Sequence, residues 1–69
     1  QLQAERERAR LLAERARLID MSFRAGETAL PEMLRALAAA VSAESALARQ
    51  QINYQTAISR LEQTLGLLP

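Results

Sequence analysis

The apolar positions of the first 24 residues follow the seven-residue repeat of a coiled-coil helix. Apolar side chains at alternating steps of three and four lie along one side of an α-helix. Leu11 and Leu18 widen this stripe on one flank. We therefore predict an amphipathic helix over residues 1–24. The positions that form its seam are Leu2, Ala9, Leu12, Ala16, Ile19 and Phe23.

Acidic and basic side chains of the same segment occur three or four positions apart, which is the spacing of neighbours on a helix surface. Such pairs support an exposed helical face opposite the apolar seam. The four predicted pairs are Glu5–Arg8, Glu7–Arg10, Glu14–Arg17 and Asp20–Arg24.

A second, longer helix is predicted over about residues 29–65. Its apolar seam alternates steps of three and four and is interrupted by Glu44 and Gln51, which either set the register or face water. The seam residues are Leu30, Met33, Leu37, Ala40, Leu47, Tyr54, Ile58, Leu61, Leu65 and Leu68.

Beside this seam, the second helix carries a surface of small residues that permits close approach of another helix. Its members are Ala29, Ala36, Ala39, Ala43, Ala46 and Ala57. Only six charged residues lie among positions 29–66, against ten among positions 1–24. We expect the second helix to be covered on more than one side, by other chains or by further parts of a parent protein.

The stretch SFRAGETALP, residues 22–31, separates the two helices. Gly26 fits the position just past a helix C-terminus, Thr28 fits the N-cap of the next helix, and Pro31 is tolerated in its first turn. A connection this short makes the helices antiparallel. The predicted fold is all-α, a single hairpin over residues 1–69 with its tip at 25–28 and a second helix that overhangs by roughly a third.

The amino-acid composition argues against nucleic-acid binding, metal binding and catalysis. The nine basic residues and eight acidic residues are interleaved, so no basic stripe is present for nucleic acid. Cys and His are both absent, which removes the commonest metal ligands and the commonest general base. We expect no enzyme activity, no metal site and no cofactor. Met21 and Met33 are interpreted as packing residues rather than a soft-metal site.

The sequence contains the turn Phe23-x-x-Gly26, which is followed by Leu30, Leu34 and Ala36 and later by an Ala-rich helix that ends in Leu65-Gly66. This combination resembles the C-terminal repeat of the TolC-like outer membrane efflux proteins. The resemblance covers about residues 15–69. In that family an aromatic-x-x-Gly turn marks the tip of a periplasmic helical hairpin and a Leu-Gly pair closes the ascending helix. The ending LEQTLGLLP is most similar to the branch that serves metal-cation pumps of the resistance-nodulation-division class.

The resemblance implies a segment of a trimeric channel whose parent lies in the outer membrane, with this hairpin in the periplasm. It implies export of metal ions or small toxic compounds, with a periplasmic adaptor and an inner-membrane pump as partners. Because the chain begins with Gln rather than Met, we expect it to be a piece of a longer protein. The residues that the resemblance assigns to the adaptor-docking tip are Arg24, Gly26, Glu27 and Thr28.

Glu32 and Arg35 lie just past the tip, where family members place acidic residues that face the channel constriction. Arg35 occupies a position where a second acid is expected, so the acidic gate matches only in part. The alternative for these two residues is a solvated ion pair at i,i+3 spacing.

A second functional reading is an interaction module, such as the hairpin of a periplasmic adaptor or a coiled-coil bundle subunit. As an isolated piece, two hairpins would pair their seams into a four-helix bundle, so we expect a homo-oligomer in either case.

Overall fold

Two α-helices form the chain in a computed structural model, which describes residues 2–66. Helix α1 spans Leu2–Arg24 and helix α2 spans Leu30–Thr64, with 23 and 35 residues. The two helices pack against each other as a hairpin, and the longest dimension of the molecule is 59 Å. The predicted all-α hairpin is confirmed, with each helix boundary within one residue of its predicted position among the described residues.

The contact between the helices is built from alanines. The buried side chains of the described residues are Ala9 and Ala16 on α1 and Ala36 and Ala43 on α2, which we call the alanine contact. Each pair is spaced by seven residues, so both alanines of a helix lie on one face. Side chains this small let the two backbones approach closely, and the larger residues then pack around the rim. The half-buried rim residues are Leu2, Leu12, Ile19, Phe23, Met33, Ala40 and Leu47.

The predicted seam of α1 is confirmed, and the predicted seam of α2 is correct only in part, since Met33, Ala40 and Leu47 are half-buried as predicted. The predicted surface of small residues does allow the close helix approach, but it also takes part of the place given to the seam. Ala36 and Ala43 were placed on a second surface, and they are the residues that meet α1. Leu30 and Leu37 were placed on the seam, and they are exposed. The physical reason is that the alanines of α1 select the small face of α2, since a leucine row would hold the helices further apart.

Two apolar surfaces of α2 lie outside the alanine contact and are exposed. The lateral stripe is Leu30, Leu34, Leu37 and Val41. The distal stripe is Tyr54, Ile58, Leu61 and Leu65, in the part of α2 that extends past the start of α1. The predicted overhang is therefore present, although Leu68, also predicted for the seam, lies outside the described residues.

Helix α1 ends in a Schellman motif. The Gly26 N–H donates to the Phe23 carbonyl at 3.0 Å, and the Glu27 N–H donates to the Ser22 carbonyl at 2.9 Å. Gly26 has a φ of +79°, a left-handed conformation that favours glycine. Gly66 has a φ of +74° just after α2. Both glycines occupy the positions predicted for them.

Helix α2 begins without a side-chain cap, and the prediction of Thr28 as its N-cap was wrong. The N-cap is Ala29, with φ −75° and ψ 152°, and no side chain bonds to the first-turn amides. The Thr28 hydroxyl is bonded instead to the Ser22 hydroxyl at 2.6 Å. Pro31 does lie in the first turn, as predicted.

Replacing Ala29 by Asp should stabilise the hairpin by about 0.5 kcal/mol, mainly because its charge favours the positive helix end. Pro31 has no N–H, so the Glu32 N–H, which donates to the Ala29 carbonyl at 3.1 Å, is the amide that the Asp side chain can share. The extended backbone at Ala29 suits a capping residue. The measurement is the free energy of unfolding in urea. Ala38→Asp, an exposed mid-helix control, should be destabilising. Equal effects of the two substitutions would contradict the capping assignment.

Candidate functional site at the tip of the hairpin

The four predicted docking residues lie together at one end of the molecule. Gly26 and Glu27 are exposed, and Thr28 is half-buried. Arg24 is also exposed, and its Nε donates to Asp20 Oδ2 at 3.0 Å. That bond ties the guanidinium back along α1 rather than forward over the turn. Glu27 is therefore the charge of the tip that no ion pair engages among the described residues.

A hydroxyl pair closes the base of the tip. Ser22 Oγ and Thr28 Oγ1 are 2.6 Å apart and partly buried, one on each side of the connection. This bond joins the last turn of α1 to the residue before the cap of α2 and fixes the direction in which the chain returns. Sequence reasoning missed Ser22. The signal available was a pair of hydroxyl residues that bracket the short connection.

A groove of about 410 Å³ runs beside the alanine contact, on one flank of the hairpin. Its floor is apolar and its rim carries Arg15, Glu32 and Arg35. The structure thus brings the two predicted pore-facing residues together and adds Arg15 from α1, which sequence reasoning missed. The remaining lining residues are Leu12, Ile19, Ala36 and Ala39.

Glu32 and Arg35 are both exposed, and no ion pair joins them among the described residues. The alternative of a closed i,i+3 pair is therefore not realised in residues 2–66. Two guanidinium groups and one carboxylate above an apolar floor suit the binding of a polar or acidic surface. With no Cys or His in the chain, this rim offers no nucleophile or imidazole base for catalysis.

The outer face of α1 carries three ion pairs. Arg10 bonds Glu7 at 2.7 Å, Arg17 bonds Glu14 at 2.7 Å, and Arg24 bonds Asp20. Hydrogen bonding and the nearby charge of Arg10 hold the pKa of Glu7 below its usual value, and Arg17 does the same to the pKa of Glu14. Three of the four predicted pairs are present.

The fourth predicted pair, Glu5–Arg8, is not among the ion pairs of residues 2–66. Glu5 is half-buried on the side of α1 that faces α2, whereas Arg8 is exposed. Spacing alone therefore did not decide the pairing, because the two side chains lie in different surroundings.

Acid should weaken the hairpin partly through Glu7 and Glu14. Because their folded-state pKa values are lowered, the stability they contribute is present above the ordinary carboxyl pKa of about 4.3 and is lost as the pH falls through the folded-state values. Both pairs are fully exposed, so the effect is small and decreases with salt. The measurement is the urea midpoint at neutral and acid pH for the wild type and for a Glu7→Gln/Glu14→Gln variant. The two proteins should differ at neutral pH and converge in acid; a constant difference would contradict this origin.

The methionines occupy unrelated places. Met33 is half-buried toward α1, and Met21 is exposed, with Arg17 Nη1 3.3 Å from its sulfur. In the described part of the chain, no cluster of three or more His, Cys, Asp or Glu could hold a metal ion.

Together these features define a class of protein: an all-α hairpin of coiled-coil type, closed by small residues and rich in uncovered apolar surface. Neither helix, within residues 2–66, is both long enough and apolar enough to cross a membrane. The chain matches no protein-family model, no curated protein and no solved structure.

Proposed function

We propose that this chain is one periplasmic helical hairpin of a TolC-like outer-membrane efflux channel, contributing to the tunnel wall and to the tip that docks the adaptor. The parent would be a trimer in the outer membrane that works with a periplasmic adaptor and an inner-membrane pump. Its cargo would be metal ions or small toxic compounds.

The observation that carries this proposal is the uncovered apolar surface on two parts of α2. Helix α1 covers the alanines of α2 in the alanine contact, whereas the lateral stripe and the distal stripe of α2 remain exposed. Large exposed apolar surface is typical of an interaction site. A helix in the wall of a helical tube has neighbours on both flanks, which is the environment that these stripes require.

The geometry of the tip also supports the proposal. The Phe23-x-x-Gly26 turn forms a rigid Schellman motif, so the exposed Glu27 is presented at the end of a rigid scaffold. Loop residues in such a position are common contact sites. The groove rim, with Arg15, Glu32 and Arg35, lies further along the flank of the hairpin.

The test is a chimera in which residues 2–66 replace the corresponding hairpin of a working TolC-like channel. It is expressed in an efflux-deficient bacterium that carries the matching adaptor and pump. We expect partial recovery of resistance to metal cations or dyes. A second chimera with Ala16→Leu and Ala36→Leu should lose that recovery, because the hairpin no longer closes. If the first chimera reaches the outer membrane as a trimer and restores no resistance, the proposal is wrong.

A further inference from the structure

The distal stripe continues the face with which α2 packs on α1. Tyr54, Ile58, Leu61 and Leu65 follow Leu47 along the same side of the helix, at steps of three and four. They are 57%, 39%, 54% and 62% exposed. The stripe is thus an established helix–helix interface that continues after its partner has ended.

The register of the hairpin shows where that partner ends. In an antiparallel pair of helices, the numbers of facing residues add up to a nearly constant value. Ser22 is bonded to Thr28, and Leu12 and Ala39 line the same groove, which sets this value at about 50 to 51. Leu2 then lies opposite about residue 49. The four residues of the distal stripe therefore have no covering helix within the described chain.

We propose that the distal stripe is covered by the distal stripe of a second copy of this chain, in an antiparallel, twofold-symmetric dimer with the two tips at opposite ends. This arrangement differs from a side-by-side four-helix bundle, because only the overhangs overlap. This dimer is the state of the free hairpin and does not rest on the proposed function, in which neighbouring helices of the tunnel would cover the same stripe instead.

The spacing of the stripe allows it to pair with a second copy of itself. Its four residues are separated by steps of four, three and four, a series that reads the same in both directions. When two such stripes lie antiparallel, Tyr54 faces Leu65 of the second copy and Ile58 faces Leu61. Both helices then present the alternating repeat that packs knobs into holes.

In this twofold-symmetric dimer, the two overhanging segments that cover each other have the same length. Each copy supplies to the other the same length of helix that α1 leaves uncovered. Leu65 of the second copy then reaches the level of Tyr54, about five residues or 8 Å short of the level of Leu2, so the second α2 and α1 do not collide.

Charge does not oppose the pairing. Between residues 51 and 66 the only charged side chains are Arg60 and Glu62, one of each sign. Two copies brought together therefore add no net charge across the interface. Each copy buries four large apolar side chains, a small interface that we place near the lower limit of about 1,200 Å² for stable complexes. We expect a dissociation constant in the micromolar range, on the order of 1–100 μM.

Sedimentation velocity of the purified chain over a concentration series tests the proposal. The wild type should change from monomer to dimer within the micromolar range. Leu61→Glu should weaken the dimer at least about tenfold, because it places a charge in the apolar interface. Ile52→Glu is the matched control, since Ile52 is an exposed apolar residue on the other side of the same helical segment. It should dimerise like the wild type.

Disulfide trapping tests the orientation, because the natural chain has no cysteine. Tyr54→Cys and Leu65→Cys proteins should form a mixed disulfide when combined, and neither should link to itself, because identical positions would be about 16 Å apart. A monomer at all concentrations, a larger oligomer, equal loss in both glutamate variants, or a Leu65→Cys self-link would each overturn the proposal.

Discussion

Replacing Ala16 by Leu is expected to lower the free energy of unfolding of the hairpin by about 2 kcal/mol. Ala16 is only 6% exposed in the alanine contact, where a larger side chain would push the two helices apart. Leu and Ala have similar helix propensities, so the loss reports the contact and not the helix itself. In a domain this small, such a loss is a large share of the total stability.

Urea unfolding followed by far-UV circular dichroism measures this effect. The matched control is Ala13→Leu, the same substitution on the exposed side of α1. Opening the hairpin should reduce helicity, because an isolated helix of this length is marginal in water. Equal urea midpoints for the two variants would show that the alanine contact does not determine stability.

Replacing Gly26 by L-alanine is expected to cost about 1–2 kcal/mol. A Cβ at this position meets nothing within 4 Å, so the cost comes from the left-handed backbone alone. A D-residue adopts a φ of +79° without strain. D-alanine at position 26 should therefore be at least as stable as glycine, because it also restricts the unfolded chain.

Both position-26 proteins are accessible by chemical synthesis of the 69-residue chain. The comparison of the L- and D-residues keeps composition and hydrophobicity constant, so any difference in thermal midpoint arises from backbone conformation. If the two proteins unfold at the same temperature, the Schellman geometry at the tip is wrong.

Much of the fold could be predicted because it is encoded locally. The seven-residue repeat predicts the position of α1, and the residues Gly26, Pro31 and Gly66 mark the helix ends. Both kinds of signal come from residues close together in the sequence. The N-cap was not predictable in this way. Thr28 has the right residue type, but its hydroxyl is bonded to Ser22 across the connection.

The sequence showed a small-residue face of α2 suited to close helix approach, but not that α1 would pack on this face rather than on the leucine positions. Two apolar faces were available, and leucines usually mark the more stable one. The choice of Ala36 and Ala43 is made jointly with Ala9 and Ala16, so it is a property of the pair of helices. For the candidate site, spacing from the turn placed Glu32 and Arg35 near each other, whereas Arg15 joins them only through the register of the hairpin.

The antiparallel hairpin is the central claim, and one distance tests it most directly. Spin labels at Ala13 and Val41, both exposed, are measured by pulsed electron paramagnetic resonance in a large excess of unlabelled chain. Helix axes about 8–10 Å apart predict a label separation below about 25 Å. A continuous helix through the turn would place the labels about 42 Å apart, and that result would contradict the account.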